Sequence, residues 1–173
     1  MREIVYVKEG EEQPFIDRAM TLGYSEILLI YSRKTLISLK NDAISIRTAL
    51  IDRKGNDEII SLGTSLTTIS RNTTLLVNNE FDEERDFVHQ RRSGLNHVWL
   101  KECKKKNITL LFNISKLRKQ PLERVSVIIG RMKQNAKLCK KYGVNFDLVS
   151  MGSLVSDMRD AKDISAMKRS IFS

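Results

Sequence analysis

The feature that most constrains the fold is a long amphipathic segment between two short apolar runs. Residues 108–114 (ITLLFNI) have the length and composition of a buried strand. Residues 122–142 then repeat apolar positions at helical spacing, and Gly143 stands where a helix C-cap is expected. Residues 145–150 (NFDLVS) predict a further strand. A strand, a helix and a strand in this order predict a unit in which the two strands are parallel.

The start of the chain repeats this order. Residues 4–7 and 26–31 predict strands, and a helix is predicted between them at 14–22, where Gly23 ends it. Shorter extended segments are predicted at 44–51, 59–62 and 75–77. Alternating strands and helices predict an α/β fold with a mainly parallel sheet in one domain. With 173 residues the chain is short for an eight-unit barrel, which usually takes more than about 200 residues, so in a barrel some helices would be reduced to turns.

Residues 91–106 (RRSGLNHVWLKECKKK) predict a helix with two different faces. Ser93 is the expected N-cap, and an apolar stripe follows at Leu95, Val98, Trp99 and Cys103. Another face carries the donor side chains of His97, Lys101, Lys104 and Lys105. Arg91 and Arg92 are expected just before the helix N-terminus, where backbone N–H groups favour an anion. Taken alone, the segment fits a phosphate-binding helix and also an ordinary helix with solvated lysines.

The uneven distribution of charge favours a polyanionic partner. The net charge of the chain is +9, but residues 85–141 contain 16 Lys and Arg against 3 Asp and Glu, and the remainder contains 14 against 18. Such a basic region favours nucleic acid over an anionic membrane surface. Only 6% of the residues are aromatic, and Trp99 lies on the predicted core stripe. We therefore expect recognition of the backbone and shape of folded RNA rather than stacking on single-stranded bases.

Cysteine usage and the N-terminus predict a cytoplasmic protein. Cys103 and Cys139 are too few for a disulfide framework or a zinc site, and both fall on predicted apolar helix stripes, so buried thiols are expected. The N-terminal residues show no signal-peptide pattern. The longest apolar run, at 27–31, is too short to cross a bilayer.

Two motifs in the second half resemble a known family. Residues 92–98 (RSGLNHV) and 131–142 (RMKQNAKLCKKY), with the strand that ends at Ser150, are similar to the thirty-kilodalton protein subunit of ribonuclease P, whose archaeal form is protein component 3. The resemblance extends over residues 75–171. Before that it is limited to a similar order of strands and helices, with Arg71 near the place where the family often has an Asn-Arg pair. The run Val149-Ser150-Met151-Gly152 departs from the family pattern.

The resemblance implies a TIM-barrel-like α/β fold related to the polymerase and histidinol phosphatase family, here as a compact or partly degenerate barrel. It implies a single RNA-binding domain over residues 1–173. The implied function is that of a ribonuclease P subunit, which binds and stabilises the RNA that removes the 5′ leader of precursor tRNA. In this endoribonuclease, a hydrolase, the RNA is the catalyst, so the chain is not expected to be catalytic alone.

The implied partners are the ribonuclease P RNA, precursor tRNA indirectly, a small ferredoxin-like protein subunit and other ribonuclease P proteins. Magnesium is required by the RNA, and no cofactor is expected on the chain itself. From the charge pattern and the resemblance together, the predicted RNA-binding residues are Arg71, Arg91, Arg92, His97, Lys101, Lys105, Arg131, Lys133 and Lys137.

Two other classes of function remain open at the level of sequence. A metal-dependent phosphoesterase of the related barrel family would need several His and carboxylate side chains at strand ends. The chain has only two histidines, His89 and His97, and Glu80 and Asp147 are its candidate strand-end carboxylates, so no catalytic or metal-ligating set is predicted. A protein-binding adaptor with solvated lysines is the other alternative.

Overall fold

The computed structural model describes residues 1–32, 39, 41–51, 58–62, 73–77, 79–81, 86, 91 and 93–172. The segments at 33–38 and 52–57, and the predicted RNA-binding residues Arg71 and Arg92, lie outside the described residues.

The described strands form one parallel sheet in which the spatial order of the strands is their order in the chain. They are β1 Arg2–Tyr6, β2 Glu26–Tyr31, β3 Ser45–Ile51, β4 Glu58–Leu62, β5 Thr73–Val77, β6 Thr109–Asn113 and β7 Phe146–Val149. The register pairs Ile4 with Leu28 and, at the other side, Leu111 with Asp147. The prediction of an α/β fold with a parallel sheet is therefore confirmed.

The helices are α1 Glu12–Thr21, α2 His97–Lys105, α3 Ile114–Arg118, α4 Leu122–Tyr142 and α5 Ala161–Phe172. Short 3-10 turns occur at Asn79–Phe81 and Val155–Asp157. The long helix has the predicted bounds, and Gly143 ends it with a left-handed φ of 66°. The sequence pattern does not predict α3, which forms because the Asn113 side chain accepts a hydrogen bond from the Lys116 N–H at 2.8 Å and caps the helix.

The prediction of a TIM-barrel-like fold is wrong. A TIM barrel closes through eight strands, whereas the described part of the chain contributes seven strands, and β7 forms no ladder with β1 there. The two sides of the sheet are linked by the bond from the Tyr6 N–H to the Gly152 carbonyl, at 2.9 Å. Two connections between strands are also too short for the helical crossovers of a TIM barrel. The connections at 52–57 and 63–72 have fewer residues than the dozen or more that such a crossover needs.

Alternation along the strands gives the sheet two apolar faces. One face collects residues from both ends of the sheet into one buried cluster: Ile4, Leu28, Ile30, Ala49, Leu75, Val77, Leu111, Val149 and Met151. Neighbours in sequence, such as Val5, Leu29 and Leu110, point to the opposite face and pack against helices. Strands buried on both faces read as continuous apolar runs, which is why the sequence identified β2 and β6 so clearly.

Helices cover the outer face in two groups. Phe15, Ile16 and Ala19 of α1 pack on β1 and β2. On the other side α2, α4 and α5 bury one continuous cluster over β6 and β7, which includes both Cys103 and Cys139. The prediction of buried thiols is confirmed, and burial raises the pKa of Cys103 to about 11. Within the described ranges, no helix combines the length and apolarity needed to cross a membrane.

Candidate nucleic-acid interface

Helix α4 carries the highest charge of the described helices. It contains six basic residues and one acidic residue. Ile128, Met132, Ala136 and Cys139 form a buried apolar stripe, and Arg131 and Asn135 are buried beside it. The outward side exposes four lysines: Lys133, Lys137, Lys140 and Lys141. The 3.6-residue period thus places a row of lysines on the side opposite the apolar stripe. Within this row, Lys140 Nζ donates to the Phe172 carbonyl at 2.7 Å, and Lys133 and Lys137 lie toward the Arg91 side.

The N-terminus of α2 differs from the prediction. Asn96, not Ser93, is the N-cap, since its Oδ1 accepts from the N–H groups of Val98 and Trp99 at 2.9 and 3.0 Å. The buried stripe of the helix is therefore Trp99, Leu100 and Cys103, and Val98 is 45% exposed. Because the helix begins at His97, Arg91 lies well before its first turn. The helix-dipole explanation therefore does not apply to Arg91.

The segment before α2 is instead anchored on α4. Ser93 is buried, and its Oγ accepts a hydrogen bond from the Gln134 side-chain amide at 2.9 Å. The same amide donates to the Arg91 carbonyl at 3.1 Å. Asn135, which is fully buried, donates from Nδ2 to the Ser93 carbonyl at 2.9 Å. These three bonds fix the backbone of Arg91 relative to the lysine row.

Arg91 lies beside this row. Its side chain is 48% exposed, and its Nη1 is 3.6 Å from the Asp86 carboxylate. The guanidinium lies against the backbone of α4 at Gly130. Together with the predicted residues Lys133 and Lys137 it lines a groove of about 430 Å³. The structure therefore brings three of the predicted RNA-binding residues into one place.

Arg131 has a different environment. Its side chain is 2% exposed, its Nε is 2.8 Å from Asp86 Oδ1, and its Nη1 donates to the Glu80 carbonyl at 3.2 Å. A buried guanidinium with these partners ties α4 to the turn at 79–81 and is not available to a ligand. Contact of Arg131 with RNA stays a prediction, and we leave this residue out of the proposed interface.

The remaining described candidates lie on α2, which packs beside α4. His97, Lys101 and Lys105 are all exposed. The Lys104 ammonium lies near the C-terminus of α4, where a Cβ added to Gly143 would be 3.4 Å from Nζ. A cation there complements the negative end of the helix dipole. Lys104 therefore has a structural role, and the other three side chains face solvent.

The candidate carboxylates do not form a metal site. Asp147 accepts from the Leu148 N–H and pairs with Lys168 at 2.7 Å. Glu80 is completely buried, and neither carboxylate oxygen has a hydrogen-bond partner within the described segments. Burial raises the pKa of Glu80 to about 8, and the Lys116 ammonium only partly offsets this effect. Among the residues that the structure describes, no three His, Cys, Asp or Glu side chains gather into a possible metal-binding group.

Sequence reasoning missed the residues that position Arg91. The sequence assigned no role to Asp86, and it identified Gly130 only as part of a helix. Gln134 and Asn135 were identified only as part of that helix and of the motif at 131–142. The available signal was a glycine in the middle of a long helix, followed within one turn by two adjacent amides. Such residues interrupt an otherwise simple apolar and basic pattern and indicate contacts from another segment.

Comparisons with known proteins give one informative result. No protein-family model matches the sequence, and no curated protein matches it. The fold is similar to that of a chain in a solved structure described as the cryo-EM structure of archaeal Ribonuclease P with mature tRNA. The TM-score is 0.72 at 13% sequence identity, and the likeness covers 98% of this chain and 82% of that chain. At this identity the likeness shows a shared fold.

Proposed function

We propose that this chain is a protein subunit of ribonuclease P and that it binds the RNA of that enzyme. The observation that carries the proposal is the charge of α4, which has a buried apolar stripe and an outer row of exposed lysines beside Arg91. The shared fold with a chain of archaeal ribonuclease P supports the same assignment. The family-like motif at 131–142 supplies the lysines of this surface, and the motif at 92–98 contains Ser93, which anchors the segment after Arg91 on Gln134.

The proposed mechanism is neutralisation of phosphate charge. Lysines and arginines that sit on a folded RNA release condensed counterions, so the affinity depends steeply on salt. Lower repulsion between phosphates stabilises the compact RNA, which reduces the magnesium that the RNA needs. The chain then acts by holding the catalytic RNA that removes the 5′ leader of precursor tRNA, and the RNA carries out the chemistry. The proposed protein partners are a small ferredoxin-like subunit and other ribonuclease P proteins, and the proposed location is the cytoplasm.

A reconstitution experiment tests this function. Precursor tRNA is incubated with the ribonuclease P RNA at low magnesium, with and without this chain and a small partner subunit. We expect cleavage at the 5′-leader junction to require less magnesium when the chain is present. Cleavage that is unchanged by the chain over the whole magnesium range would contradict the proposal.

A second arm separates this function from the phosphoesterase alternative. The purified chain is assayed for bound divalent metal and for turnover of a generic phosphate ester. Stoichiometric metal with turnover in the absence of RNA would favour the phosphoesterase. The proposed function predicts neither, and tight partner binding without RNA affinity would instead support a protein-binding adaptor.

A further inference from the structure

Gly130 occupies a position where glycine is unfavourable for the helix itself. It lies in the interior of α4, which runs from Leu122 to Tyr142. In such a position glycine is about 1 kcal/mol less favourable than alanine. Its φ is not in the left-handed region, unlike that of Gly143, so the backbone does not require glycine. The reason for a glycine must therefore lie in what approaches the helix from outside.

That neighbour is the guanidinium of Arg91. A Cβ built on Gly130 would overlap the Cζ and Nη1 atoms of Arg91 and would come within 2.9 Å of Nε. Within the described segments, the three heavy atoms nearest to such a Cβ all belong to Arg91. The missing side chain of Gly130 thus provides the space that the guanidinium of Arg91 occupies beside the helix.

The rest of the site holds Arg91 in that space. Gln134 binds the Arg91 carbonyl, one turn further along α4, and Asp86 lies 3.6 Å from Nη1. Asp86 also pairs with the buried Arg131 at 2.8 Å, so the carboxylate stays in place when Arg91 takes another partner. The guanidinium is half-exposed toward the groove that Lys133 and Lys137 line. A planar fork of donors beside two ammonium groups suits the oxygens of a phosphodiester.

We propose that Gly130 is a positioning residue for phosphate binding: it seats the Arg91 guanidinium beside Lys133 and Lys137, and this groove takes one phosphodiester of an RNA backbone. The inference rests on the proposed RNA-binding function and adds to it a defined subsite. It assigns a role in binding to a residue that carries no charge and no donor.

The test is a double-mutant cycle with Gly130→Ala and Arg91→Ala. Transcribed ribonuclease P RNA is the probe, and filter binding is followed over a salt series. We expect Gly130→Ala to weaken binding about tenfold, the effect of one lost hydrogen bond to a charged group. The slope of log affinity against log salt should fall by roughly 0.7 to 0.9, which corresponds to one phosphate contact. The double variant should bind like Arg91→Ala alone, because both changes remove the same contact.

Stability separates this role from a structural one. Gly130→Ala should melt at the wild-type temperature or above it, because alanine favours the helix and only the end of a flexible side chain has to move. Ser126→Ala, an exposed change on the same helix, should leave both stability and RNA binding unchanged. Unfolding of Gly130→Ala, an unchanged salt slope, or losses that add in the double variant would overturn the inference. A wild-type chain without salt-dependent RNA binding would overturn the proposed function itself.

Discussion

The two helix groups on the outer face of the sheet bury similar apolar stripes but differ in the charge of their other residues. Helix α1 buries Phe15, Ile16 and Ala19, and α4 buries a similar stripe at the same helical spacing. Over its whole length α1 has two acidic residues and one basic residue, and Glu12 is buried. Helix α4 has one acidic residue and six basic residues, and only Arg131 of the six is buried. Folding needs only the apolar stripe, so the lysines of α4 call for a reason outside folding. The comparison therefore supports the proposal that the RNA-binding surface lies on α4.

The largest expected effect is on stability and concerns Arg131, the buried arginine of α4. Asp86→Ala would leave the buried Arg131 without its 2.8 Å partner. Removing one member of a buried pair is strongly destabilising, and we expect a loss of about 3 kcal/mol in the free energy of unfolding. Denaturant titration measures it. Lys133→Ala is the control, because Lys133 is exposed and lies two residues after Arg131 on the same helix. Its free energy of unfolding should stay within about 0.5 kcal/mol of the wild-type value.

The next effect separates the two helix surfaces by function. Lys133→Glu with Lys137→Glu should weaken binding of the ribonuclease P RNA about 100-fold, because two phosphate contacts become repulsive. Lys8→Glu with Arg18→Glu changes the net charge by the same amount at exposed positions next to and on α1. This matched control should change the affinity less than about threefold. Equal losses in the two variants would show that only the net charge matters.

A smaller effect concerns pH. The pKa of Glu80 is raised to about 8 by burial, against 4.5 as its ordinary value, so between these values the folded chain keeps a proton that the unfolded chain has lost. The stability contributed by Glu80 is therefore present below pH 4.5 and is lost as the pH rises to 8. Glu80→Gln should remove this dependence and stabilise the chain at pH 8 by about 2 kcal/mol, less than the full shift because relaxation admits water. The free energy of unfolding is measured at pH 5 and pH 8 for the wild-type chain and for Glu80→Gln. An equal change between the two pH values in both proteins would contradict this prediction.

The smallest effect tests the start of α2. Asn96→Ala removes the side chain that caps Val98 and Trp99, and we expect a loss of about 1 kcal/mol. Thermal melts measure this loss. Ser93→Ala should leave the helix intact and act on the segment that holds Arg91, so it should affect RNA binding more than Asn96→Ala does. A larger stability loss for Ser93 than for Asn96 would restore Ser93 as the cap.

The sequence predicted what depends on local periodicity. The bounds of β2 and α4 were predicted as found, since apolar spacing and the terminal Gly143 suffice for them. It did not predict α3, because its cap, Asn113, is also the last residue of a strand. It also predicted a TIM-barrel-like fold, which depends on strand number and long-range pairing that no local pattern contains.

The candidate site shows the same limit. The exposed lysines of α4 were found from helical spacing alone. The burial of Arg131 could not be predicted in this way, because its partner Asp86 is 45 residues away in the sequence. The seat of Arg91 on Gly130 likewise joins two segments that only the tertiary fold brings together. Sequence therefore identified the charged surface but not which of its cations are available to a ligand.

The most direct test of the central claim is the salt dependence of RNA binding by the wild-type chain. Filter binding of the ribonuclease P RNA is measured over a range of monovalent salt, beside the variant with Lys133→Glu and Lys137→Glu. We predict a steep fall of affinity with salt in the wild-type chain and a slope that is smaller by about 1.4 to 1.8 in the variant, which is two phosphate contacts. The same slope in both proteins would contradict the assignment of the RNA-binding surface to α4.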